Sequence, residues 1–440
     1  MVRILIPSGA LTAGVAARPD LIAIDGGSTD SGPHYLGTGT SKYARSSTKA
    51  EWRALMAARA RAGVPLVIGT AGTCGADAAV DWMVEITREI AAETGEQLKL
   101  AVLKSGQSAE SVATALEADR IRPLPPERPI TPDLIRACTN IVALAGAEQV
   151  GAALATGADI VICGRTTDTA IISALPLMRG CHAGAAWHGA KIGECGALCT
   201  TNPQTGVIQI DFDGEGFTVT PMAETARATP HTVSAHMLYE NSDPFILHEP
   251  GGHLDVTGAR YAALDDRRVR VTGSRWVPSD RYTVKLEGAR VAGHQSVTLA
   301  LLRDPRYVAN AAQWADDLAR RCTAKARARL GRDDFTIELR LIGLNATLGA
   351  LETARTAPCE IGVLAIATAP TEALAREAAR MLNPYLLHHP LTEQEELPTF
   401  AFPFSPAEMH RGRIHEFCLH HVMELDDPMQ AFRLEVFDIG

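Results

Sequence analysis

The stretch Asp25-Gly26-Gly27-Ser28-Thr29-Asp30-Ser31-Gly32-Pro33-His34 gathers two acids, three hydroxyls, three glycines and a histidine directly behind the apolar run Leu21–Ile24. Glycines admit positive φ and let backbone N–H groups approach a ligand. Asp25, at the tip of a predicted strand, is placed to act as a general base or as a metal ligand. His34 offers a second acid–base group, and Gly26, Gly27 and Ser28 offer donors to a substrate. The plain alternative is a well hydrogen-bonded turn.

Three more polar turns follow apolar runs. Gly69-Thr70-Ala71-Gly72-Thr73-Cys74-Gly75 leads into a helical pattern, so Thr70 and Gly72 are candidate contacts for a carboxylate or phosphate at a helix N-terminus. The turn is neither a Walker A loop nor a GxGxxG dinucleotide fingerprint. Lys104 ends a fourth run and can bind a carboxylate or act as a base. Gly164-Arg165-Thr166-Thr167-Asp168 ends another, and Arg165 has the fork geometry for an anionic substrate. Asp168 is read as a proton carrier, a helix cap or a metal ligand. Asp25 and Asp168 beside Arg and Lys are hard ligands suited to Mg or Mn, although no motif requires a cofactor. Lys191, Glu194 and Cys195 form a further polar group. Cys181, His182, His188 and Cys195 are zinc-competent types, but they match no compact ligand spacing. The turn-rich stretch from Tyr239 through Asn241 to His253 reads as a lid, a substrate wall or a plain loop. The pairs His388-His389 and His420-His421 read as ordinary surface or core histidines.

These turns need a scaffold that gathers them. Six short apolar runs, Arg3–Pro7 (ending at Ser8-Gly9), Leu21–Ile24, Leu66–Ile68, Leu100–Leu103, Ile141–Leu144 and Ile160–Cys163, lack strict alternation, as strands buried on both faces do. Helical spacing separates most of them, at 48–62, 76–95 and 107–119. The pattern predicts an α/β fold: a mostly parallel, Rossmann-like sheet with helices on both faces. Its ligand crevice would lie beyond the carboxyl ends of the strands, where Asp25, Ser28, Thr70, Lys104, Arg165 and Asp168 would line one pocket.

Further on, 205–221 predicts two strands joined at Asp213-Gly214. From about 282 the order strand, helix (308–329), strand (335–342), strand (360–368), helix (370–386), strand (414–423) predicts a C-terminal α+β ferredoxin-like domain. Residues 1–270 are thus expected to form an α/β domain with a β-rich insertion, and 271–440 the ferredoxin-like one. Edge strands at 360–368 or 432–437 need covering, which predicts a homo-oligomer.

Hydrophobic residues make up 46% of the 440 positions and charged residues 21%, an ordinary globular balance. A net charge of −9 argues against nucleic acid or an acidic membrane as partner. No run reaches a membrane span of roughly 18 apolar residues, and the first run does not read as a signal peptide. Nine cysteines without repeated CxxC spacing suggest reduced thiols in a cytoplasmic protein.

The stretches IAIDGGSTDSGPHYLG (22–37), ADIVICGRTTDTA (158–170), AKIGECGA (190–197), YENSDPFILHEPGGHLDVT (239–257), RVRVTGSRW (268–276) and YTVKLEGAR (282–290) together resemble the acyclic terpene utilisation family, AtuA. The resemblance implies an N-terminal AtuA domain, a ferredoxin-like C-terminal region and a catabolic setting alongside acyl-CoA enzymes. Through a likeness to two-component systems, the resemblance further implies a small partner subunit. The matching motif positions are Asp25, Gly26, Gly27, Ser28, Arg165, Asp168, Glu194 and Asn241.

Two functions compete. One is an enzyme, a lyase of hydratase/dehydratase type or an isomerase, acting on a small carboxylic acid or its CoA thioester. Asp25, His34, Lys104 or Asp168 would supply acid and base, and the glycine turns with Arg165 would stabilise the anionic intermediate. The other is a non-catalytic binding or regulatory subunit of a multi-component enzyme, since fold does not fix function.

Overall fold

The computed structural model describes residues 1–7, 11–126, 128–354, 358–394 and 400–440. The turn expected at Ser8-Gly9 lies outside the described residues. The chain forms two compact units, one of residues 1–290 with 417–440 and one of residues 291–416.

In the first unit five parallel strands lie side by side in the order Val2–Ile6, Leu21–Asp25, Leu66–Gly69, Ile160–Cys163, Leu98–Lys104. Each is rich in Val, Ile and Leu because both of its faces are covered. Ile4, Ile6, Leu21, Ala23 and Val67 point into one core, while Leu5, Ile22, Leu66 and Ile68 point into the other. Helices Arg45–Ala62 and Asp77–Thr94 cover the second face with Trp52, Met56, Val80, Met83 and Ile90. Helices Ala147–Ala155, Ala170–Met178 and Ala183–Gly193 cover the first with Val150, Ile171, Ile172 and Trp187.

Antiparallel strands extend the sheet to ten. Ile208–Phe212, Gly216–Pro221, Val269–Thr272 and Arg260–Ala263 continue it beyond Val2–Ile6. The expected hairpin is present: the Asp213 carboxylate accepts the backbone N–H groups of Glu215 and Gly216. At the far edge Arg433–Ile439 pairs with Leu98–Lys104.

Two expectations are corrected. The run Ile141–Leu144 is not a sixth parallel strand. It belongs to Cys138–Ala143, which pairs antiparallel with residues 286–290 in another sheet. Its first half is partly exposed, and Asn140 and Thr139 bind the carbonyls of Leu36 and Gly37, so the strand is not buried on both faces. Four apolar residues cannot by themselves choose between two sheets. The run 360–368 is not an edge either: Ile361–Ala369 lies between Thr336–Ile342 and residues 294–302.

In the second unit the elements follow in the order strand, helix pair, strand, strand, helix, strand. Across its sheet the order is Thr336–Ile342, Ile361–Ala369, residues 291–302 and residues 408–416. The helix expected over 308–329 is two helices, Pro305–Ala309 and Ala311–Leu330, broken at Asn310. Trp314, Leu318, Leu382 and Leu386 pack with Ala300 and Val363.

Candidate functional site

Asp25 ends the second parallel strand, opposite Gly69. Its Oδ1 accepts the N–H of Gly27 at 3.0 Å. Gly26 donates to the carbonyl of Gly69, and a Cβ on Gly26 would lie 2.6 Å from that oxygen, so no side chain fits. Ser28 caps the short turn Thr29–Ser31 by accepting the N–H of Asp30. Two strands away, Gly164 donates to Leu103 O and the Arg165 N–H to Ser105 Oγ. Gly75 lies against this backbone. Its φ is +64°, and a Cβ there would come within 2.2 Å of the Arg165 nitrogen.

Arg165 is buried and fully engaged. Its Nε and Nη2 donate to Glu287 at 3.0 and 3.4 Å, and its Nη1 to Thr70 Oγ1 and Thr166 O. Thr70 holds φ at +46°, an uncommon conformation for a β-branched residue, while its hydroxyl meets the guanidinium. Glu287 lies on the strand Tyr282–Leu302 and also accepts from Thr29 Oγ1 and Lys285 Nζ, each at 2.9 Å. Lys285 and Glu287 share a strand face because side chains alternate with period two. Burial pushes the Glu287 carboxyl up, but Arg165 and Lys285 outweigh it and hold it down at about 2.

Four other carboxyls behave in the opposite way. Burial, reinforced by Asp168, pushes Asp25 up to about 8. Burial also raises Asp168, against the pull of Arg165 and Lys191. Asp168 keeps 30% of its side-chain surface open, yet its Oδ1 is buried without a hydrogen-bond partner among the described residues, and that buried oxygen disfavours the charged form. Glu194 is pushed to about 8 by burial, although Lys191 Nζ lies 2.5 Å from its Oε1. Glu249 is raised by burial to about 7, with Thr169 donating to Oε1 and Oε2 left unpartnered among the described residues.

Two cavities open on these groups. One of 630 Å³ is lined by Ser28, Arg128, Asp168, Lys285, Glu287 and His420, among others. The other, of 580 Å³, is lined by Asp25, Glu194, Cys195 and Gly196 together with apolar Ile24 and Leu55.

The structure thus gathers Asp25, Ser28, Arg165, Asp168 and Glu194 around these two cavities. Gly26 and Gly27 form the backbone of the same turn. Asn241 follows Glu240, a wall residue of the larger cavity, and its Nδ2 is buried without a partner among the described residues. Other candidates go elsewhere. Lys104 pairs with Asp81 at 2.7 Å and lines neither cavity. His34 is exposed and meets Tyr35 edge-on. Thr70 and Gly72 are buried, and the N–H groups of Thr70, Thr73 and Gly75 bind backbone carbonyls, so this turn holds Arg165 rather than facing a cavity. Arg165 does line the larger cavity, but its fork is committed to Glu287. The spaced set Cys181, His182, His188 and Cys195 does not assemble: His182 caps a helix, and His188 is bound at both nitrogens by Ser274 and Tyr261.

Glu287, Lys285 and His236 were not singled out from the sequence, whereas Glu249 lies in the turn-rich stretch read there as a lid, a substrate wall or a plain loop. The available signal was a charged pair at alternate positions inside the apolar strand pattern of YTVKLEGAR.

The fold and site define an α/β protein with buried, ionisable groups gathered beyond the carboxyl ends of a parallel sheet. The family model for acyclic terpene utilisation family protein AtuA matches residues 35–402, most of the chain, and the protein belongs to that family. No curated protein and no solved structure matches the chain. Among the described residues, no helix is long and apolar enough to cross a membrane.

Proposed function

We propose that this AtuA-family chain is a metabolic enzyme of hydro-lyase type that adds water to, or removes it from, a small carboxylic acid or its CoA thioester. The observation that carries the reading is the set of buried carboxyls that lie close enough to Asp168 to feel its charge. Asp25, Glu194 and Glu249 have burial-raised values of about 8, 8 and 7. Groups that titrate near neutrality can both take and give a proton, the property general acid–base catalysis needs. In the dehydration direction Asp25 would remove the proton beside the substrate carbonyl. Asp168, protonated, would give a proton to the departing hydroxyl, so that one water leaves and one double bond forms. Lys285 and Arg128, on the wall of the larger cavity, would meet the substrate's anionic group. Arg165 then acts as a positioning residue, fixing Glu287 and through it Lys285.

In this reading residues 291–416 form a ferredoxin-like unit that serves assembly into a homo-oligomer or docking of a small partner subunit. The test is a panel of hydroxy acids, their unsaturated counterparts and the matching CoA thioesters, followed by NMR for water addition or loss. Turnover abolished by Asp25→Asn supports the reading. Binding without turnover, even with candidate partner proteins added, supports the non-catalytic subunit instead.

A further inference from the structure

Glu194 and Cys195 close the helix Ala183–Gly193, and His236 joins the helix Pro230–Ala235 to the short turn His236–Leu238. One ligand atom from each of the three lies within 4.8 Å of the others. His236 is 5% exposed, and its Nε2 is buried with no hydrogen-bond partner among the described residues. A buried ring nitrogen without a partner is costly unless something binds its lone pair.

We propose that Glu194, Cys195 and His236 bind a zinc ion. The donor set decides the metal. A thiolate and an imidazole favour zinc over the hard cations Mg and Mn, which two aspartates alone would have suggested. Three protein ligands leave a fourth position, the arrangement of catalytic rather than structural zinc sites. Glu194 and Cys195 both line the 580 Å³ cavity with Asp25, so that position has room for water or substrate oxygen. Bonds of about 2.0–2.3 Å in a tetrahedron put ligands about 3.5 Å apart, so movements on the order of 1 Å close the set.

Charge supports a cation here. Asp168, Glu240 and Glu249 act electrostatically on Glu194 or Cys195, and Lys191 is the cation that answers them. Lys191 Nζ bonds one oxygen of Glu194 and the carbonyl of Tyr239. A carboxylate has two oxygens, so the ammonium and a metal ion can share it. The role of the zinc in polarising a substrate carbonyl or water rests on the reading above; the binding of zinc does not.

The test uses the full chain, stripped with a chelator and re-equilibrated with Zn²⁺ or Co²⁺. Expected results are one zinc per chain by elemental analysis and a near-ultraviolet thiolate-to-cobalt charge-transfer band. Cys195→Ser should remove the band, and Cys181→Ser should retain it. His236→Ala should weaken zinc binding by more than the roughly 10–100-fold that a supporting residue costs. A wild-type chain that shows no thiolate–cobalt band overturns the proposal, whether or not the variants fold. So does a band that survives Cys195→Ser. Because these readouts need no turnover, a failure of the hydro-lyase reading leaves them unaffected.

Discussion

Glu287 Oε2 lies 3.0 Å from Arg165 Nε, and the two side chains are only 7% and 8% exposed. The pair ties the tip of the parallel strand Ile160–Cys163 to the strand Tyr282–Leu302. Breaking a buried pair by removing one partner leaves the other charge uncompensated, at a cost of about 3–5 kcal/mol. Glu287→Ala is therefore expected to lower unfolding free energy by that order in urea titrations. A loss of under about 1 kcal/mol would show that the pair is not buried in solution. Because the Glu287 carboxyl is held at about 2, below its ordinary value, its stabilising contribution is present above the ordinary glutamate range. It is lost as pH falls through about 2.

Asp25 has the opposite sign. Its carboxyl is raised from an ordinary 3.8 to about 8, so between those values the folded state holds a proton that the unfolded chain has released. Stability from this group is fully present below 3.8 and is lost as pH rises toward 8. Asp25→Asn should flatten the stability–pH curve over that window and leave the variant at least as stable as wild type at pH 8. Thermal melts across pH 4–8 check this; parallel curves for the two proteins would contradict it.

Lys285 lines the larger cavity, and in the proposed function it meets the anionic group of the substrate. Hydrogen bonds to charged groups contribute about 1.5–3 kcal/mol, so Lys285→Gln should raise KM roughly 10–100-fold. The effect on kcat should be smaller, because the lysine does not move the proton. Steady-state kinetics with a carboxylate substrate resolve the two; an unchanged KM would remove Lys285 from the binding surface.

Gly75 and Gly63 separate backbone strain from contact. Both have positive φ, +64° and +66°, but a Cβ on Gly75 meets the Arg165 backbone while one on Gly63 meets nothing within 4 Å. Gly63→Ala should cost about 1 kcal/mol, and Gly75→Ala at least about 2 kcal/mol. Equal costs measured by denaturant titration would mean that the 69–75 turn does not lie against Arg165.

The parallel sheet was legible because doubly buried strands leave short apolar runs that end in polar turns, and five of the six runs took their expected places. Cys138–Ala143 failed because its run is equally apolar whichever sheet receives it. The candidate residues at the strand tips, Asp25, Arg165 and Asp168, were legible for the same reason. Lys104 also ends a strand of this sheet, but its side chain turns to Asp81 on a covering helix. Position at a strand tip does not fix side-chain direction. Glu287 was hidden by distance: it lies 122 residues from Arg165, and only the folded chain shows that its charge has a buried partner. His236 was hidden likewise, in a short helical segment with no motif around it.

The decisive step of the proposed reaction is removal, by Asp25, of a proton from the carbon beside the substrate carbonyl. Its most direct measurement is deuterium exchange at that carbon, followed by NMR in D₂O with the protein as isolated and a substrate from the panel. Wild type should wash deuterium into that position, and Asp25→Asn should bind the same substrate but leave the position protonated. Exchange by Asp25→Asn at the wild-type rate would mean that Asp25 is not the base.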